Sequence, residues 1–238
     1  MIASTTLKVK IFADGADRTT MLELHGNPLI RGFTTNPTLM RAAGVTDYEA
    51  FARDLLTAIP DRPISFEVIS DEFDEMAAQA QRLSSWGDNV QVKIPVTNTR
   101  GESSIPLIRS LAAAGVPLNV TALMTLEQVR TVAGALRDGP PACISVFAGR
   151  IADTGRDPVP MMAAAVELLR ADRHIELLWA SPRELLNIFQ ADQIGCHIIT
   201  VTVDLLKKLS LVGKNLEEYS LETVRMFRND ALRANLQL

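Results

Sequence analysis

Short apolar runs alternate with longer stretches of helical periodicity along most of the chain. The runs are Leu7–Ala13, Leu29–Thr35, Ile64–Ser70, Asn89–Thr97, Val116–Thr121, Ala142–Phe147, Ile175–Ala180 and Cys196–Val201. They are short and rich in β-branched residues, which predicts strands. Helical patterns follow at about 18–25, from Pro37 to about Ile59 with a break near Gly44, and at about 72–84, 106–114, 158–170 and 203–209. Asn36-Pro37 reads as an N-cap followed by proline at the first helical position. Thr125-Leu-Glu-Gln128 has the spacing of a capping box. Ser181-Pro182-Arg183 repeats the cap-then-proline arrangement and predicts another helix start. Strands alternating with helices predict parallel pairing. Eight strand–helix units without a linker predict one (β/α)8 TIM barrel over residues 1–238, with an additional C-terminal helix at about 215–236. A doubly wound open sheet is the rival. The count of eight, and the lack of a glycine-rich dinucleotide turn after the first strand, favour the barrel.

Composition narrows the partners. The 238 residues are 47% hydrophobic and 22% charged, enough for a substantial core. A formal net charge of −4 with no Lys/Arg run argues against nucleic acid. Cys143 and Cys196 lie in apolar strands, which argues against a disulfide framework or a zinc site. His25, His174 and His197 have no metal-ligand spacing. The polar N-terminus lacks the pattern of a signal peptide, and no apolar run nears the ~20 residues that span a bilayer. The expectation is a cytoplasmic protein with no membrane partner.

Candidate chemistry starts at Lys93. Alternation along Asn89–Thr97 puts its side chain on the face of Gln91 and Pro95, opposite Val92 and Ile94. A lysine with both sheet faces covered is a buried amine, and burial favours the neutral form that attacks carbonyls. A packed stem with an ammonium reaching solvent or a carboxylate is the plainer alternative. In a barrel, functional groups sit at the C-terminal ends of strands. Asp14, Asn36, Glu67, Lys93, Asn119, Thr121, Ser145, Arg150, Ser181 and Arg183 all fall there. Several have plain readings alone: Asp14 as a turn cap, Asn36 as a helix cap, Ser145 bonded to a backbone carbonyl, Arg150 in a surface ion pair. Glu67 inside Ile-Ser-Phe-Glu-Val-Ile needs a partner if buried. Asn119 and Thr121 share a face. An amine beside two carboxylates suits Schiff-base cleavage and formation of a C–C bond, with Asp14 and Glu67 dividing the proton transfers. Arg150 and Arg183, with the Ser181 hydroxyl at a helix start, suit a phosphate.

At these residues the chain resembles the transaldolase family. The matching segments are Phe-Ala-Asp14, Gly32-Phe-Thr-Thr-Asn36-Pro37, Val92-Lys93-Ile-Pro95, Leu118-Asn119-Val-Thr121, Ile144-Ser145-Val-Phe147-Ala-Gly149-Arg150 and Ala180-Ser181-Pro-Arg183. They run through most of the chain in the family's order. The resemblance implies a class I Schiff-base enzyme with no metal or organic cofactor. It would move a dihydroxyacetone unit from a ketose phosphate to an aldose phosphate, as in the non-oxidative pentose phosphate pathway. It implies Lys93 as the Schiff-base lysine, Asp14 as the acid/base for C–C cleavage, and Glu67 with Thr121 as holders of the catalytic water. Thr35, Asn36, Asn119, Ser145 and Phe147 would contact the substrate, and Arg150, Ser181 and Arg183 its phosphate. Fructose-6-phosphate aldolases look similar but tend to carry Gln at Glu67 and Tyr at Phe147, so both residues favour the transferase over a lyase. A non-catalytic sugar-phosphate binding barrel is the reading from another class. Departures from the family pattern are Gly15, His197 and Ala152. Family members are often oligomers, so a homo-oligomer is expected.

Overall fold

A computed structural model of the chain describes residues 7–236; the N-terminal hexapeptide read above for targeting lies outside that range. The elements run β1 (Lys10–Asp14), α1 (Arg18–His25), β2 (Ile30–Thr34), α2 (Pro37–Ala42), α3 (Tyr48–Ala58), β3 (Ile64–Glu67) and α4 (Phe73–Ser84). They continue with β4 (Val90–Pro95), α5 (Ile105–Ala113), β5 (Leu118–Leu123), α6 (Leu126–Leu136), β6 (Ala142–Val146), α7 (Ala148–Ala152) and α8 (Val159–Leu169). The last are β7 (Ile175–Trp179), α9 (Leu186–Gln193), β8 (Ile198–Thr202), α10 (Val203–Lys207) and α11 (Leu216–Arg233). All eight strands pair in parallel, each with its neighbours in sequence, and β8 closes on β1. The open-sheet alternative is thereby excluded.

Local chemistry explains the boundaries. Asn36 caps α2 by accepting from the Leu39 N–H, with Pro37 at the first helical position. Gly44, at φ 73°, follows the C-cap Ala43 and ends α2. Thr125 and Gln128 form the reciprocal capping box that starts α6. The strand expected to reach Ser70 stops at Glu67, because the Gln79 side chain accepts the Ile69 and Ser70 N–H groups. Helix α7 is not anticipated by the sequence pattern.

The main core lies between the outer face of the barrel and the helices. Phe66, Ile94, Val120, Ile144 and Trp179 are fully buried there, against Met76, Ile108, Val129 and Met162. The interior holds a separate small cluster of Phe12, Cys143, Leu178, Ala180 and Ile198. This apolar layer is the floor of the barrel mouth. Gly32 makes room for it: a Cβ at that position would lie 2.6 Å from the Phe12 ring. By contrast, α11 has no buried residue, and Leu216, Val224 and Phe227 are exposed along it. No helix among the described residues is long and apolar enough to cross a membrane.

Gly32→Ala is therefore expected to destabilise the barrel by about 1–3 kcal/mol through overpacking. Denaturant unfolding measures it. The double variant Gly32→Ala/Phe12→Leu should recover part of the loss, because the smaller side chain leaves room for the added methyl.

Candidate active site

Strand register assembles the site. Glu67 on β3 is the lateral partner of Lys93 on β4, and Lys93 is the partner of Asn119 on β5. Three polar side chains thus stand in one row around the barrel wall. Lys93 is only 6% exposed. Its amine donates to the Thr35 carbonyl at 2.8 Å and lies 2.9 Å from Glu67 Oε2. The buried amine is thus paired with a carboxylate, the plainer of the two sequence readings. That pairing also supplies an acceptor for the proton the amine must shed before attacking a carbonyl. Asn119 links this row to its neighbours: Ser145 donates to Asn119 Oδ1 at 2.6 Å and Asn119 Nδ2 donates to Ser65 Oγ at 3.1 Å. Ser145 therefore bonds a side chain rather than a backbone carbonyl. Cys143 is the lateral partner of Asn119 on β6, its thiol pushed up to about 12 chiefly by burial, so it is no rival nucleophile.

Asp14 closes the other side of the mouth. Its carboxyl is held above the ordinary carboxylate range, mainly because burial disfavours the charge. The Thr34 hydroxyl donates to Oδ1 at 2.7 Å, and this bond together with Lys93 opposes the rise. Glu67 adds to it through like charge. Asp14 is not a turn cap; Asp17 does that for α1.

A cavity of about 580 Å³ opens above these groups. Asp14, Asn36, Glu67, Lys93, Asn119, Thr121, Ser145, Phe147, Arg150, Ser181 and Arg183 all line it. Thr121 Oγ1 is buried without a hydrogen-bond partner among the described residues, beside Ala122 in the left-handed region at φ 66°. An unpaired buried hydroxyl at a cavity wall suits a small polar occupant. Asn36 spends its Oδ1 on the helix cap, which leaves its amide as a donor.

Two sequence expectations need correction. Thr35 does not line the cavity: its hydroxyl donates to the Ser65 carbonyl, and only its own carbonyl reaches Lys93. Thr34 lines the mouth instead, together with Thr200; the sequence reading missed both as site residues. Ser181 does not start a helix. Asn187 Oδ1 takes the Arg183 and Glu184 N–H groups, and α9 begins at Leu186. Ser181 sits at φ 60° in the intervening loop. Its oxygen accepts from Arg183 Nη1 at 3.0 Å, and Asp153 pairs with the same guanidinium through both its oxygens. Arg150 stacks on Phe147 at 5.7 Å and forms no ion pair among the described residues. Its charge is the more available of the two arginines. The loop and helix meet closely: a Cβ on Gly149 would fall 1.5 Å from the Ser181 carbonyl oxygen. Among the described residues, no three His, Cys, Asp or Glu side chains gather as metal ligands.

Removing the amine alone leaves a lone carboxylate in the mouth. Lys93→Met should cost about 2 kcal/mol, below the value for a fully buried pair because the Glu67 side chain keeps 19% exposure. Lys93→Met/Glu67→Gln should regain most of it, and unfolding of both variants in urea gives the comparison. Asp14→Asn should stabilise the protein at neutral pH. The raised carboxyl binds its proton more tightly folded than unfolded, so stability falls as pH rises from the unfolded value through the folded one. The gain from Asp14→Asn should be full above that window and shrink as pH drops toward 3.8. Midpoints measured across pH check the sign.

The chain matches the family model described as Transaldolase/Fructose-6-phosphate aldolase over residues 11–237. It is 31% identical over 217 residues to "Probable transaldolase 2" of Listeria monocytogenes, covering 89% of this chain and 94% of that protein. It is 30% identical over 231 residues to "Probable transaldolase" of a Thermoanaerobacter species, covering 97% of this chain and all of that protein. Among solved structures, the 3-keto-L-gulonate-6-phosphate decarboxylase of Vibrio cholerae superposes with TM-score 0.55 at 12% identity, over 82% of this chain and 88% of that one. That likeness concerns the barrel alone. With a family match that spans nearly every described residue, the chain belongs to the transaldolase/fructose-6-phosphate aldolase family.

Proposed function

We propose that the protein is a transaldolase that moves a dihydroxyacetone unit between a ketose phosphate and an aldose phosphate through a Schiff base on Lys93. The observation that carries this is the Lys93 amine, buried at the mouth and held 2.9 Å from Glu67 under an open polar cavity. In this reading the amine passes a proton to Glu67 and attacks the ketose C2 carbonyl. The carbinolamine loses water, which Glu67 and the Thr121 hydroxyl hold as it leaves. The iminium then draws the electron pair of the C3–C4 bond. Asp14 takes the C4 hydroxyl proton as that oxygen becomes the aldehyde of the leaving aldose. Burial of Asp14 supports this role, since a raised carboxyl is a better proton acceptor than an exposed one. The enamine left on Lys93 adds to a second aldose by the reverse steps.

The remaining residues would orient the sugar. Asn36, Asn119 and Ser145 offer amide and hydroxyl groups to the dihydroxyacetone end, and Phe147 forms an apolar wall. Arg150 would carry most of the phosphate charge, since Arg183 is shared with Asp153. Thr35 contributes only its backbone carbonyl. The same reading includes a cytoplasmic location within the pentose phosphate network. It also includes a homo-oligomer, for which the exposed apolar residues of α11 offer a surface.

Borohydride reduction in the presence of a ketose phosphate should leave a dihydroxyacetone adduct on Lys93, read by mass spectrometry of the peptide. No adduct there would reject both enzyme readings and leave a binding barrel. Release of free dihydroxyacetone should stay low and product form only with an aldose phosphate present. Release independent of the acceptor would favour the lyase.

A further inference from the structure

Asp14 is tied to a pair of hydroxyls from two other strands. Thr34 Oγ1 on β2 bonds Asp14 Oδ1 and is also in hydrogen-bond contact with Thr200 Oγ1 on β8. These two strands flank β1 on either side, in the registers Asp14↔Thr34 and Phe12↔Thr200. Both threonines are buried, at 3% and 6% exposure. Hydrogen-bond accounting gives the chain a direction. A threonine hydroxyl has one hydrogen. An ionised carboxylate only accepts, so Thr34 must spend its hydrogen on Asp14. Thr200 must then be the donor to Thr34. The order is Thr200→Thr34→Asp14 Oδ1.

This order has a consequence at the carboxylate. Oδ1 is occupied by a donor, while Oδ2 has no hydrogen-bond partner among the described residues. The chain also removes the alternative in which Thr34 turns its hydrogen to Thr200 and leaves Asp14 bare. We propose that Thr200 is a positioning residue that acts through Thr34: by filling a Thr34 lone pair, it directs the only Thr34 hydrogen onto Asp14 Oδ1 and reserves Oδ2 for the substrate proton. The function of the chain rests on Asp14 as the base of the proposed reaction; its hydrogen-bond order does not. The threonines keep their own hydrogens throughout. The substrate O–H bond breaks, its proton goes to Oδ2, and its electron pair enters the new carbonyl as the C3–C4 pair moves to the iminium.

The other charges near Asp14 belong to different elements. Lys93 on β4 and Glu67 on β3 act on it across the mouth. Asp17, before α1, and Asp204 on α10 line the adjoining cleft. Arg150 and Arg183 face the same cavity. Threonine substitutions leave all of them in place, so a change in Asp14 titration reports the hydroxyl chain.

The test is a double-mutant cycle on Asp14 itself, followed by carboxyl-carbon NMR titration of protein labelled at aspartate. Thr34→Val should raise the Asp14 midpoint by about one pH unit, the worth of one lost hydrogen bond. Thr200→Val should raise it by a smaller amount, and Thr200→Ser should restore it. Thr34→Val/Thr200→Val should match Thr34→Val alone, because Thr200 acts only through Thr34. The acid limb of the pH–rate profile should move with the NMR midpoint. An unchanged midpoint in Thr200→Val, or additive shifts in the double variant, would overturn the proposal. Because NMR needs no turnover, a failed borohydride trap with the predicted shifts would sink the transaldolase reading and leave the chain standing.

Discussion

The Lys93–Glu67 pair is the interaction on which the rest of the site depends. Two opposite charges on neighbouring strands, in direct lateral register, compensate each other at a place where either alone would be costly. The Thr35 carbonyl adds a third contact and ties the loop after β2 to the pair. Parallel pairing sets this geometry. A shift of one residue in β3 or β4 would send one partner to the helix side, where Phe66 and Val92 now sit fully buried. The apolar packing outside the barrel therefore enforces the polar alignment inside it.

The two carboxylates at the mouth live in different surroundings. Glu67 faces an amine; Asp14 faces the Thr34 hydroxyl, itself bonded to Thr200, with the amine farther off. The same functional group can then serve two tasks, because neighbours rather than the carboxyl itself distinguish the two. In the proposed reaction the group beside the amine handles its protons and the departing water. The group beside the hydroxyls handles the sugar.

Much of this was legible in the sequence. Strand count and periodicity gave the barrel, since each strand carried its own apolar run. Glu67, Lys93 and Asn119 were legible because a charge or amide inside an apolar strand has few explanations. Thr34 and Thr200 were not, because threonine is an ordinary strand former and its hydroxyl leaves no pattern. Thr35 entered with the family resemblance rather than from facing, and the structure turns its hydroxyl to the Ser65 carbonyl while Thr34 lines the mouth. The Ser181 helix start failed for another reason. Its cap-then-proline signal is real, but Asn187 captures the N–H groups from farther along the chain, which no local rule counts.

That loop also bears on the proposed phosphate end. Read from sequence, Arg150, Ser181 and Arg183 look like three equal donors. In the structure Asp153 holds Arg183, Arg183 reaches Ser181, and the Gly149 backbone packs against the Ser181 carbonyl. Ser181 stays in a left-handed conformation that an L-residue adopts only when its surroundings impose it. The contacts from α7 and Asp153 supply that constraint. Arg183 is therefore better suited to fixing the shape of the loop, and Arg150, stacked on Phe147 without a carboxylate partner among the described residues, to meeting an incoming anion. An arginine already paired gains less from a phosphate than a free one, because it must give up a bond to make one. Specificity for the phosphorylated end would then rest on a single available charge, held in place by a loop whose own arginine is spent on structure.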